Sequence, residues 1–244
     1  MESPDLKDVI STFQDEKANE PVQLAVVTKW MNSADMEVLG ALDCFLFQKN
    51  HHLRVQPIIP LAEQHRFKLR YLEHCLVSKV ESQWVDDRYS AAHDLRSWFF
   101  DLWDKKDKIP PGFFDELVHL LERLYRNGDE ELRNCLVGSV LEHLFEKSAI
   151  RKRFQNWEKD PVLQEAYSQA MQWVASRQAL PSRQAHDKAF PRLQRSKSVE
   201  ELTEDSAKEL EKYAVHLRQL GRDADASRIE SQARSIRRRI QRRG

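Results

Sequence analysis

Glycine is scarce in this chain, six residues of 244 with one of them terminal, and the scarcity excludes whole classes of site. The glycines are isolated, so no G-x-x-x-x-G-K loop and no G-x-G-x-x-G turn exists to cradle a phosphate or a dinucleotide. β-Branched runs are also rare, which argues against a sheet-rich fold. Cysteine is limited to Cys44, Cys75 and Cys135, far apart and without a C-x-x-C pair. A disulfide framework and a zinc knuckle are thereby excluded, and three buried free thiols are expected. No run of eighteen apolar residues occurs, and the opening stretch MESPDLKDVISTFQDEKANEP carries acids where a secretory leader needs a basic and then apolar segment. The chain is therefore expected to have no integral membrane segment and to be cytoplasmic.

Catalytic motifs are missing too. There is no G-x-S-x-G elbow, and His74 and Cys75 are only sequence neighbours, which says nothing about a dyad in space. Nine histidines invite a metal, but adjacent His51 and His52 point apart on a helix, and His65 and His74 are not at i, i+4 spacing. No H-E-x-x-H occurs. We expect no structural metal, no cofactor and no enzymatic activity.

What is present is helical. Hydrophobic residues make up 41% and charged residues 32%, the balance of a soluble helical protein. Ala25–Trp30 and Met36–Phe47 read as short helices with Ser33 as a cap between them, and HHLRVQPIIP as a loop or extended passage. His65, Leu69, Leu72, Leu76 and Val80 mark one long helix beginning at Leu61. Ala92, Leu95, Phe99 and Leu102 mark the next, widened by Trp98 and Trp103, and KKDKIPPG ends it. Trp84, Trp98 and Trp103 suit either core packing or a set of partner anchors, with core favoured for Trp98. Phe113, Leu117, Leu120, Leu121 and Leu124 share a face, with Glu122 four residues before Arg126.

Asn127-Gly128-Asp129 then predicts a tight turn, Gly128 left-handed and Asp129 capping a helix striped by Leu132, Cys135, Leu136, Val140, Leu141, Leu144 and Phe145. Asp160-Pro161 opens a further helix through Leu163, Tyr167, Ala170 and Val174. The fold class is all-α: an irregular antiparallel helical bundle, or HEAT-like helical hairpins, with a C-terminal helical hairpin or kinked helix after a linker. We place an α-helical body at 1–176, a linker at 177–201 and a basic C-terminal helical segment at 202–244.

The formal net charge of zero hides an asymmetry. Residues 177–244 hold 17 Lys+Arg against 10 Asp+Glu, so the tail is +7 and the rest −7. Arg234, Arg237, Arg238, Arg239, Arg242 and Arg243 cluster near the end, with Ile236 and Ile240 four apart. Such a segment can neutralise phosphates, lie on an anionic membrane, or fold back onto the acidic body; no aromatic stacking groups accompany it, and docking on the body or on a partner is expected ahead of nucleic acid. Trp157, in the charged stretch RKRFQNWEKD, is expected to be exposed and is the tryptophan best suited to an interface.

The stretches RYSAAHDLRSWFFDLWD, NGDEELRN and VGSVLEHLF resemble an uncharacterised bacterial family of small all-helical proteins, over residues about 35 to 175. The resemblance implies the role of an immunity protein that sequesters a cognate toxin. An acidic helical body without a visible catalytic motif accordingly reads as a non-catalytic protein that binds a protein partner stoichiometrically, as an immunity or adaptor protein does. The alternative is a nucleic-acid-associated protein that uses its arginine-rich tail.

Overall fold

The computed structural model describes residues 4–15, 17–79, 82–179, 204–219 and 223–241, and the chain is all-α. The helices are α1 (Pro4–Phe13), α2 (Leu24–Met31), α3 (Met36–Leu42), α4 (Leu61–Val77), α5 (Arg88–Asp104), α6 (Phe113–Asn127), α7 (Glu130–Leu136), α8 (Ser148–Arg151), α9 (Leu163–Ala179), α10 (Glu204–Gln219) and α11 (Asp223–Gln241). The described strands, β1 (Val22–Gln23) and β2 (Val55–Gln56), form one short parallel pair, Val22 opposite Val55. Among the described residues no helix is long and apolar enough to cross a membrane. Of the expected linker, residues 177–179 belong to α9, and 180–201 lie outside the described residues.

Two compact units emerge, Met1–Ala91 and Ala92–Gly244. In the first, α3 packs against α1, α2 and α4, and the core is aromatic. Phe13 stacks on Phe45 at 5.9 Å and meets Trp30 edge-on at 6.3 Å, while Phe45 lies 5.6 Å from Trp84. Asp35, not Ser33, caps α3, its carboxylate accepting from the Glu37 amide at 2.9 Å; the Ser33 hydroxyl accepts from the Asp35 amide instead. α3 continues into a π turn, Asp43–Gln48, whose wider spacing shows in the bond from the Lys49 amide to the Cys44 carbonyl.

The second unit repeats that order of parts. α6 leads through a turn to α7, which Asp129 caps by accepting from the Leu132 amide at 2.8 Å. A π turn follows at Val137–Leu141 and a last α turn at Glu142–Leu144. Next come α8 with the 3-10 helix Lys152–Lys159, and then α9, 17 residues long. In the first unit the corresponding parts are α2, the Asp35-capped α3 with its π turn, a 3-10 helix at His51–Arg54, and α4, also 17 residues long. The stripe expected on α7, from Leu132 to Phe145, is buried throughout.

Gly128 is not left-handed. It is extended, φ −75°, and a Cβ there would come within 2.5 Å of the Leu124 carbonyl oxygen and 2.9 Å of the Leu132 side chain, so the turn needs glycine for clearance and not for a positive φ. Among the described glycines a positive φ is found at Gly112, at +85°, just before α6.

α10 and α11 form a helical hairpin, the first of the two forms expected for the tail. Ala207, Leu210 and Ala233 are buried together, as are Ala214 and Ala226, with Ile229 and Ile236 packed against them. The alanines recur at sevens on each helix, a heptad spacing whose small side chains allow close approach.

Candidate functional site

The structure distributes the sequence-nominated residues in an unexpected way. Trp157 is buried, 2% exposed, which corrects the expectation that its charged neighbourhood would leave it in water. The cause is local geometry. Residues 152–159 form a 3-10 helix with three residues per turn, so Phe154 and Trp157 fall on one side and meet edge-on at 5.1 Å, while Arg153, Gln155, Asn156, Glu158 and Lys159 stay exposed. The Trp157 Nε1 is buried with no hydrogen-bond partner.

In the tail, Arg237 is engaged inside the hairpin. Its guanidinium pairs with both Glu211 oxygens, Nη2 at 2.9 Å, and its Nε donates to Glu204 at 2.8 Å. These hydrogen bonds, Glu211 first, hold its pKa above the ordinary arginine value. Arg218 pairs with Glu230 in the same bidentate way and, as the main cause, lowers that carboxyl's pKa. Arg234 is exposed and Arg238 half-buried on α11; Arg239 lies in the same helix, and Arg242 and Arg243 lie outside the described residues.

A polar network occupies the interior of the first unit. Asp43, fully buried at the start of the π turn, receives the Lys68 ammonium at 2.7 and 2.8 Å and the Gln48 amide at 3.2 Å. The Tyr71 hydroxyl lies 3.2 Å from Asp86 Oδ2 and 3.3 Å from the Trp84 carbonyl oxygen, with one proton to donate between them. Arg88 closes the C-terminal end of α4 by donating to the Leu76 and Val77 carbonyls at 2.8 and 3.2 Å. Burial, reinforced by the Asp86 charge, pushes the Cys75 thiol up to about 12, so it stays protonated and unreactive. Cys44 and Cys135 are buried thiols outside any disulfide as well, as expected. Among the described residues no group of three or more His, Cys, Asp or Glu could hold a metal ion.

Clefts open in each unit. One, in the second unit, has a volume of about 250 Å³ and lies between the end of α5 and the start of α6, lined by Trp103, Ile109, Pro110, Pro111, Phe114 and Arg153. Trp103 is half-exposed and meets Phe114 edge-on at 5.1 Å. Arg153 lies over both rings, 5.7 Å from Trp103 and 5.3 Å from Phe114, and is tied to Asp115 at 2.8 Å. Another cleft, in the first unit, has a volume of about 180 Å³ between α2 and α4, and Arg66, Phe67 and Arg70 are among the residues that line it. Sequence reading took KKDKIPPG only as a helix end and missed the spacing of Glu63, Arg66, Phe67 and Arg70 on one face of α4.

A family model described as a domain of unknown function (DUF7674) matches residues 74–173, a stretch that takes in α5 to α8 and most of α9. No curated protein and no solved structure matches the chain. The resemblance expected from about residue 35 to 175 thus rests on a similarity, over residues 74–173, to a domain whose function is unknown.

Proposed function

We propose that this chain is a non-catalytic cytoplasmic protein that binds one protein partner stoichiometrically, in the manner of a bacterial immunity or adaptor protein, and that the partner docks at the Trp103 cleft. The observation that carries this reading is a half-exposed tryptophan set beside two prolines and an arginine at an open cavity. Trp and Arg are the residue types on which binding energy concentrates, because both bury a large flat surface and keep a polar handle. The arginine is pre-ordered: Asp115 and two aromatic rings hold Arg153 in place, so little side-chain entropy remains to be lost on binding. The net −7 of residues 1–176 favours a basic partner. Phosphate binding by the tail is the weaker reading, since Arg237 already gives its guanidinium to two carboxylates.

The test uses the intact chain as bait in a lysate of its own organism, beside Trp103→Ala and Arg153→Ala. The wild type should retain a single protein near one-to-one. Each variant should keep its circular dichroism spectrum and lose that partner by roughly thirtyfold or more, the loss typical of a hot-spot truncation. Undiminished retention by Trp103→Ala would remove the cleft from the reading.

A further inference from the structure

Between α2 and α4 two arginines line a small cavity with an apolar floor, and neither is paired with an anion among the described residues. α2 contributes Thr28 and Met31 from its last turn, with Asn32 just beyond; α4 contributes Glu63, Arg66, Phe67 and Arg70 at i, i+3, i+4 and i+7, one face of a helix. Phe67 and Met31 are buried and form the floor. Arg66 is exposed and makes no hydrogen bond or ion pair among the described residues. Arg70 donates from Nη2 to the Met31 carbonyl, but its Nε is buried and has no acceptor. A buried donor without an acceptor is penalised until one arrives. The carbonyls at the end of α2 that would oppose an anion are occupied, Thr28 O by the Asn32 side-chain amide at 2.9 Å and Met31 O by Arg70.

We propose that this cleft binds a monocarboxylate carried on a small branched apolar body. The planar fork of each guanidinium matches a carboxylate's two oxygens, and the floor takes the hydrocarbon. Glu63, which lines the cleft without an ion pair among the described residues, offsets one of the two arginine charges and leaves a net +1 that a single carboxylate neutralises, and the apolar floor gives inorganic phosphate no hydrocarbon to bury. A cavity of about 180 Å³ excludes large ligands. A free carboxylate on a leucine-like body is the chemistry shared by a small branched acid and by the C-terminus of a polypeptide. The site does not rest on the Trp103 reading.

The experiment follows backbone amide shifts of the full chain by NMR during titration with 4-methylpentanoate, 4-methylpentanamide and inorganic phosphate, and with an acetylated Ala-Ala-Leu peptide as free acid and as C-terminal amide. The pentanoate should give saturable shifts at Thr28, Asn32, Arg66 and Arg70, and the neutral pentanamide should bind at least ~10-fold more weakly. Arg66→Gln, at an exposed position with no partner to lose, should keep the wild-type circular dichroism spectrum and weaken pentanoate binding ~10-fold or more. Tighter binding of the peptide acid than of pentanoate identifies a polypeptide terminus as the source, and weaker binding a free acid; both support the site. Equal binding of acid and amide, phosphate binding as tight as pentanoate, an unchanged Arg66→Gln, or no saturation by roughly 50 mM, well beyond the millimolar range of a weak specific site, would each overturn it.

Discussion

His65 shows what a single side chain can impose. It sits on α4 at 4% exposure, and burial lowers its pKa below the ordinary 6.5. The folded chain therefore keeps the ring neutral at pH values where the unfolded chain already takes up a proton. The stability this provides is fully present above 6.5 and is lost as pH falls from 6.5 through the folded value. Melting temperatures measured from about pH 7 down to about pH 5 should fall in the wild type, and His65→Gln should flatten part of that fall. Periodicity alone put His65 on the inner stripe of α4, because position on a helix is a local property. Trp157 was misplaced for the converse reason. Its charged neighbours pointed outward in sequence, but a three-residue turn directs Trp157 to the other side.

Elements are held to one another by contacts that sequence spacing does not display. α3 lies so close to the segment 82–87 that a Cβ on Gly40 would run into the Trp84 carbonyl group, its carbon 2.7 Å away, and come within 3.3 Å of the Tyr71 hydroxyl. Gly40→Ala should therefore cost about 3 kcal/mol, more than the helix-propensity gain of alanine over glycine, because backbone must move and the Tyr71–Asp86 bond moves with it. Urea midpoints of the two proteins measure this, and an unchanged midpoint would mean that the segment can shift freely. α6, the α7 cap and the α9 cap were legible, since an Asp side chain and the amides it caps are two or three residues apart. α1 was not anticipated, although Leu6, Val9 and Phe13 are buried at helical spacing. The 3-10 and π segments were not legible either, because their periods depart from 3.6 over only a turn or two.

Across the whole chain, burial is unevenly shared. α6 and α7 bury leucines, phenylalanines and a tyrosine, whereas the described core of the α10–α11 hairpin is four alanines and one leucine with two half-buried isoleucines. Helices in proteins draw most of their stability from packing of this kind, and α10 and α11, 16 and 19 residues long, have only this small core to draw on among the described residues. Native-state hydrogen exchange should find hairpin amides at least ~10-fold less protected than those in the middle of α6, in line with the spread of local opening free energies within one fold. The all-α class was readable because composition and period are properties of the whole sequence. The clefts were not: Thr28 and Arg70, or Trp103 and Arg153, are far apart in the chain and become neighbours only through packing. The π turns carry a last consequence, one of chain length. A π turn holds one residue more than an α turn, so the helix that begins as α7 contains a surplus residue within Val137–Leu141, ahead of its last α turn at Glu142–Leu144. Deleting one residue from an ordinary helix rotates everything beyond it by about 100° and swings core positions into water. A deletion inside Val137–Leu141 restores α spacing and leaves both flanking faces where they were, so Leu144 and Phe145 would stay inside; here the helix can shorten by a residue without losing register.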